Sequence, residues 1–126
     1  MSGTAAALLV LLGGAVGALV RYLTGLVVQS RSPGAFPWAV LGVNIVGSLV
    51  LGGVAGAASE GTAPEWVLTL VGTGFCGALS TFSTFGFETV RLAEEGALRV
   101  AGLNVVAHLA LGLAACAGGW ALVVSL

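Results

Sequence analysis

Ser80, Thr81, Ser83 and Thr84 set four hydroxyls within one short stretch, and Phe82 and Phe85 stand among them. In an apolar setting those residue types suit one task, replacing the water around an ion. A bare ion in hydrocarbon costs on the order of tens of kcal/mol, so unassisted passage is excluded. Hydroxyls and amides supply donors, and Asn44, Ser48 and Asn104 extend the set. An aromatic ring is positive at its edge, so an anion rests in the ring plane, whereas a cation prefers the face. Hydroxyls alternating with phenylalanines therefore suit a small, strongly hydrated anion somewhat better than a cation. The residues alone leave a second reading open, in which the rings pack against other helices and the hydroxyls bond back to backbone carbonyls.

The same stretch carries Gly72, Gly74, Gly77 and Gly86. It lies inside an apolar segment long enough to cross a membrane, yet glycines and hydroxyls loosen a helix there. Non-helical backbone in a bilayer is tolerated only where protein covers it or where it lines a cavity. A helix broken mid-membrane therefore points to an ion or substrate path. The break frees carbonyls, and those of Gly77 and Ser80 are candidates to coordinate a cation such as Na⁺, held between two subunits. The bland alternative is a glycine kink. Asn44 in Val-Asn-Ile-Val-Gly-Ser48 is either interhelical glue or pore lining. Arg21 either snorkels to headgroups or concentrates anions at a pore mouth. Glu88 repels an anion unless it is paired. His108, the one histidine, is either a satisfied interhelical bond or a proton relay.

The elements that must position these groups follow from composition. The chain has 126 residues, 58% hydrophobic and 7% charged, with a mean hydropathy of +1.11. A soluble domain carries about 25% charged residues. Charge-free runs cover 1 to 20, 32 to 59, 66 to 87 and 100 to 126, and each reaches the ~20 residues a membrane helix needs. We therefore expect an all-α membrane protein, one domain over 1–126, with helices at about 4–29, 36–58, 65–93 and 98–124 and a break near 76–82 in the third. The first loop, Ser30 to Pro37, is a cluster of breakers that includes Pro33. Tyr22, Trp38 and Trp66 sit where an aromatic belt is expected. Small-xxx-small pairs at Gly13 and Gly17, at Ser48, Gly52 and Gly56, and at Ala114 and Gly118 predict close helix approach. The first run lacks the positive flank of a signal peptide. Cys76 and Cys116 match no metal or disulfide pattern.

Charge also bears on orientation. Arg31, Arg91 and Arg99 flank the first and third loops, Arg21 lies toward the same side, and the other side has no Lys or Arg. This predicts loops one and three in the cytoplasm and both termini outside. Three arginines against none, with Arg21 set aside, suggest a fixed orientation and hence a partner paralogue inserted oppositely. No lysine and a net charge of −1 give no nucleic-acid footprint. With no aspartate and one histidine, no catalytic constellation forms, and an enzyme is not expected.

Three motifs carry a resemblance. Gly13-Gly-Ala-Val-Gly-Ala-Leu-Val-Arg21-Tyr22, Val43-Asn-Ile-Val-Gly-Ser48 and Gly74-Phe-Cys-Gly-Ala-Leu-Ser-Thr-Phe82-Ser-Thr-Phe85 followed by Glu88 resemble the Fluc (CrcB) fluoride channels over nearly the full chain. The resemblance implies a dimer of antiparallel subunits in the plasma membrane of a prokaryote, with two fluoride pores. It implies a structural, untransported Na⁺ on the carbonyls of Gly77 and Ser80. Phe82, Phe85, Asn44, Ser83 and Thr84 would line the fluoride path, Arg21 would sit at a vestibule and Glu88 near the pore. The implied role is passive fluoride export that lowers the cytoplasmic concentration when fluoride enters as HF.

The sequence departs from the family pattern in three places. Ser80 replaces a usual Thr. Ala39-Val40 replaces a common Gly-Thr. Asn104 and His108 replace the Tyr and Ser of the family's polar track, which makes them this chain's candidates for that track. Two rival readings are a small multidrug exporter and a pore-less assembly subunit. The first needs an acidic residue in helix 1, and positions 1 to 20 hold none. The second leaves the alternation of hydroxyls and phenylalanines unexplained.

Overall fold

The computed structural model describes residues 1–32 and 34–126; Pro33, one of the breakers expected in the first loop, lies outside the described residues. Helix α1 covers Gly3–Arg31 and α2 covers Trp38–Ser59. The third span is composite: α3 (Glu65–Val67), a π-helical segment (Leu68–Cys76), α4 (Gly77–Leu79) and α5 (Phe82–Glu94). Helix α6 covers Leu98–Val124. Four spans are long and apolar enough to cross a membrane. The protein is an all-helical, multi-pass membrane protein.

Local sequence sets the ends. Ser2 caps α1 by accepting the Ala5 N–H at 3.1 Å, which satisfies one of the orphan donors of a first turn. Gly61 and Gly96 close the second and third loops at φ 74° and 83°, a region that favours glycine. The N-terminal amine lies 3.8 Å from the Glu65 carboxylate, so the start of α1 meets the start of the third span.

Packing divides into two seams. α1 lies along the π-helical segment and α4, while α2 lies along α6, with α5 also on α6. Both seams depend on missing side chains. A Cβ on Gly13 would collide with the Leu70 carbonyl, and one on Gly17 with the Phe75 carbonyl. In the other seam, Gly52 faces the Cys116 carbonyl and Gly119 the Leu49 carbonyl. The stripe expected at Ala114 and Gly118 is out of phase, because Gly118 faces open space and Gly119 makes the contact. One residue turns a helix by ~100°, so Gly118 and Gly119 point in different directions and Gly119 takes the contact.

The π-helical segment was not expected from sequence. Gly72 and Gly74 are buried within it. A Cβ on Gly74 would stand 3.0 Å from the Val10 carbonyl, so α1 presses directly on the wider coil. The outer surface is strongly apolar, with Leu11 67% and Leu113 71% exposed. In the most apolar window of each span only 11% to 28% of residues are buried within the chain. Lipid or another chain must cover the rest.

Candidate functional site

The site grows from an interruption in the third span. Ser80 (φ −77°, ψ 156°) and Thr81 (φ −149°, ψ 121°) are extended between α4 and α5. Sequence explains the restart: Thr81 is the N-cap of α5, its Oγ1 accepting the Thr84 N–H at 3.2 Å and donating to Thr84 Oγ1 at 3.0 Å. Asn44 on α2 holds the extended residue from the side. Its Nδ2 donates to the Thr81 carbonyl at 3.0 Å, and the Thr81 N–H donates to its Oδ1 at 2.6 Å. One side-chain amide thus pairs with one backbone unit as a neighbouring strand would. Ser80 Oγ bonds back to the Cys76 carbonyl at 2.7 Å, and Arg21 Nη1 approaches the Ser80 carbonyl at 3.5 Å.

A cleft of about 270 Å³ opens beside this interruption. Asn44 and Ser48 line it from α2, Ser80 and Thr81 from the interruption, Phe82 and Phe85 from α5, and His108 from α6. The Phe82 and Phe85 rings lie 5.8 Å apart at 53°, and the Phe85 and His108 rings 4.4 Å apart at 44°. Phe82 is 83% exposed, so it forms an outer lip. Ser80 and Thr81 use their hydroxyls internally, whereas the Ser48 hydroxyl makes no hydrogen bond among the described residues and is free to donate into the cleft. Among the described lining residues none is a carboxylate, lysine or arginine.

Thr81 also borders a second space. A cavity of about 220 Å³ is lined by Arg21, Val43, Thr81 and Thr84. Beyond Thr84, a cavity of about 390 Å³ reaches Gln29, Ser32, Glu88 and Arg91. Glu88 Oε2 is paired with Arg91 Nη2 at 3.0 Å. The Asn44–Thr81 pairing therefore stands between an aromatic, uncharged cleft and a charged vestibule.

The residues singled out from sequence sort accordingly. Asn44, Ser80, Phe82, Phe85 and His108 share the first cleft. Arg21 and Thr84 line the second space, and Thr84 and Glu88 the cavity beyond it. Ser83 is exposed, with its hydroxyl 3.3 Å from Thr81 Oγ1. Gly77 is exposed, and a Cβ there would meet nothing within 4 Å. Asn104 is fully buried, outside the cleft lining. Its Nδ2 donates to Thr89 Oγ1 at 2.9 Å, and Thr89 Oγ1 donates to the Phe85 carbonyl at 2.8 Å. His108 Nδ1 lies 3.0 Å from the Asn104 carbonyl. Asn104 Oδ1 and His108 Nε2 are buried without a partner.

Sequence reasoning counted Thr81 and Ser48 among the donors but gave them no place, and it missed Thr89. Signals for all three were present. Thr81 stands three before Thr84 in an N-cap pattern, Ser48 one turn after Asn44, and Thr89 one turn after Phe85. No group of three or more His, Cys or acidic residues that could hold a metal occurs among the described residues.

Comparison with known proteins agrees with the motifs. The family model described as CrcB-like protein, Camphor Resistance (CrcB) matches residues 8–120. A protein of Frankia casuarinae named fluoride-specific ion channel FluC 1 is 52% identical over 120 residues, covering 91% of this chain and 93% of its own. A Nocardia farcinica protein of the same name is 54% identical over 107 residues, covering 85% and 72%. The fluoride-specific ion channel FluC of Thermococcus kodakarensis is 42% identical over 119 residues, covering 92% and 94%. With the family model spanning residues 8–120 and such relatives aligned over most of both chains, this chain belongs to the CrcB family of fluoride-specific ion channels.

Proposed function

We propose that this protein is a fluoride channel that lets the ion leave the cytoplasm passively and so lowers its concentration there. One observation carries the reading: a cleft that combines two phenylalanine rings with hydroxyl and amide groups and holds no carboxylate, lysine or arginine. Neutral donors suit transit, because a channel site must bind well enough to dehydrate the ion and weakly enough to release it. Ring edges offer partial positive charge without a counter-ion that would trap the anion. The free Ser48 hydroxyl and the rings of Phe82 and Phe85 line the dehydrated stretch. Ser83 and Thr84 continue it toward the vestibule, where Arg21 raises the local anion concentration and the Glu88 charge is offset by Arg91. Channel proteins are not a class of enzyme, and no reacting group is needed here.

The finer architecture is part of the same proposal. The extended Ser80–Thr81 backbone lies mid-membrane, where only a cavity or protein cover makes it tolerable. Phe82 at 83% exposure and the open space over Gly77 are covered by a second subunit inserted the other way up, giving an antiparallel dimer with two pores. That subunit is a second copy of this chain or a paralogue of opposite orientation, and the arginine bias favours the paralogue. The assembly sits in the plasma membrane of a prokaryote.

The donor set also fits a structural Na⁺. The Thr81 N–H that would close a further turn on the Gly77 carbonyl goes to Asn44 instead. Gly77 lies on the uncovered face, and the Arg21 contact to the Ser80 carbonyl is long at 3.5 Å, leaving lone pairs to spare. The carbonyls of Gly77 and Ser80 would hold the cation between subunits, where it supplies fixed positive charge and a clasp.

Efflux from fluoride-loaded proteoliposomes, read with an electrode, tests the function. The expected result is fluoride release with chloride retained. No fluoride release, or equal chloride release, overturns it. Removal of Na⁺ from both sides is expected to abolish release, and release that persists reassigns Gly77 and Ser80. A C-terminal tag found on both faces of the membrane overturns the fixed orientation.

A further inference from the structure

The cleft has one wall whose chemistry runs against a passive anion path. His108 Nδ1 lies 3.0 Å from the Asn104 carbonyl oxygen. A carbonyl only accepts, so Nδ1 carries the proton. Nε2, the other ring nitrogen, is buried without a partner, and in the uncharged ring it is a bare lone pair. Asn104 Oδ1, one turn earlier on α6, is a second buried acceptor without a partner. Unsatisfied buried acceptors are costly, and each calls for a proton or a donor.

We propose that His108 is a proton-binding site coupled to the cleft, so that a small anion is held there together with a proton, as the elements of its acid. Taking up the proton turns Nε2 from acceptor into donor and places one positive charge beside Phe85, 4.4 Å from it ring to ring. The anion in the cleft supplies the balancing charge. No bond within the protein breaks; the proton comes from water and returns to it when the anion leaves.

Among the described residues lining the cleft none carries a charge that could supply that balance. α2 carries no charged residue from Trp38 to Ser59, and contributes Asn44 and Ser48 to the cleft. On α5 the charged residues are Glu88, Arg91 and Glu94; Glu88 and Arg91 line the other cavity, and Glu94 is exposed. On α6 itself the only charge is Arg99, exposed and more than two turns away. The proposal rests on the fluoride-channel reading, and its test separates the two. Because His108 is the only histidine, ¹⁵N-histidine labelling reports on this ring alone.

In the reconstituted protein at fixed pH, added fluoride is expected to raise the imidazolium fraction, whereas chloride at equal ionic strength is not. Fluoride that leaves the ring signals unchanged overturns the proposal, whether or not flux is seen. In efflux assays corrected for protein-free vesicles, wild-type fluoride release is expected to fall by up to about tenfold per pH unit on the alkaline side of the titration, as a single protonation requires. His108→Ser, which removes the titrating group, is expected to flatten that profile. A wild-type profile that is already flat between pH 5 and 8, or a His108→Ser profile as steep as wild type, also overturns it. No fluoride release at any pH, with the fluoride-dependent ring signal intact, instead overturns the channel reading and leaves the proton-coupled site standing.

Discussion

From Leu68 to Leu79 the third span meets α1 through bare backbone, whereas from Phe82 to Glu94 it meets α6 through polar side chains. In the first half Gly13 and Gly17 sit directly on the carbonyls of Leu70 and Phe75. In the second half Thr89 and Asn104 bridge the helices, His108 bonds back to α6, and two buried polar atoms stay unpaired. Close backbone packing leaves no room for a ligand along the α1 seam, so that face of the first half is scaffold. Unpaired polar atoms and a half-open aromatic cleft cost stability, and they are kept where ligands come and go. The Asn44–Thr81 pairing is the joint between the two.

The sharpest way to break the comparison is to add side chains to each half. Gly13→Val puts branched carbon onto the Leu70 carbonyl, and backbone cannot move aside as a side chain can. We expect a loss of about 3 kcal/mol or more, seen as the disappearance of the monodisperse peak in detergent. Gly118→Val, facing open space, is expected to leave that peak intact. Equal behaviour of the two variants would mean that the seam is not what holds the scaffold.

At the joint, Asn44→Ala removes two hydrogen bonds at once and strands the Thr81 N–H. The expected cost is about 2–4 kcal/mol, read as a lower thermal midpoint in detergent. Asn44→Asp keeps an acceptor for that N–H but sets a carboxylate against the Thr81 carbonyl and beside the cleft. It is expected to fold better than Asn44→Ala yet to pass no fluoride. A conducting Asn44→Asp would separate the joint from the path. In the functional half, Phe85→Leu keeps an apolar side chain and loses the ring edge. An aromatic contribution of about 0.5–1.5 kcal/mol corresponds to roughly tenfold at its upper end, so fluoride release is expected to fall by up to that factor while the thermal midpoint holds.

Much of this arrangement was legible in the sequence, and the reasons differ by residue. The four spans were legible because single charges such as Arg21, Glu65 and Arg99 punctuate otherwise apolar runs. Expected and observed bounds coincide for Leu98–Val124, and α1 runs two residues past its expected end to Arg31. Gly13, Gly17 and Gly52 were legible as contact positions because small residues one turn apart form a stripe. Gly119 was not, because it sits next to Gly118 and spacing alone cannot say which of two neighbours faces inward. The π-helical coil was illegible, since its pattern of apolar residues reads as an ordinary helix and the widening comes from contact with α1. Asn44 was legible as a mid-helix amide in need of a partner, but its pairing with Thr81 spans 37 positions, and no local signal encodes such a contact. The unpaired atoms of Asn104 and His108 are likewise properties of the packed α5–α6 interface.

The smallest expected effect lies at the vestibule, where the comparison makes its finest distinction. Glu88 and Arg91 form a close pair at 3.0 Å, yet Arg91 is 48% exposed and also approaches Glu95 at 3.8 Å. An exposed pair of this kind contributes at most about 1 kcal/mol, so Arg91→Ala is expected to leave the thermal midpoint nearly unchanged. Its electrostatic effect is different in kind, because it leaves Glu88 facing the cavity without its counter-charge. Fluoride release is then expected to fall by roughly two- to threefold at low ionic strength, the range a term below 1 kcal/mol allows. Near 1 M salt, with a Debye length of about 3 Å, the deficit is expected to vanish. A deficit that persists at high salt would mean that Arg91 acts on the packing of α5, and the boundary between scaffold and path would have to be redrawn beyond Glu88.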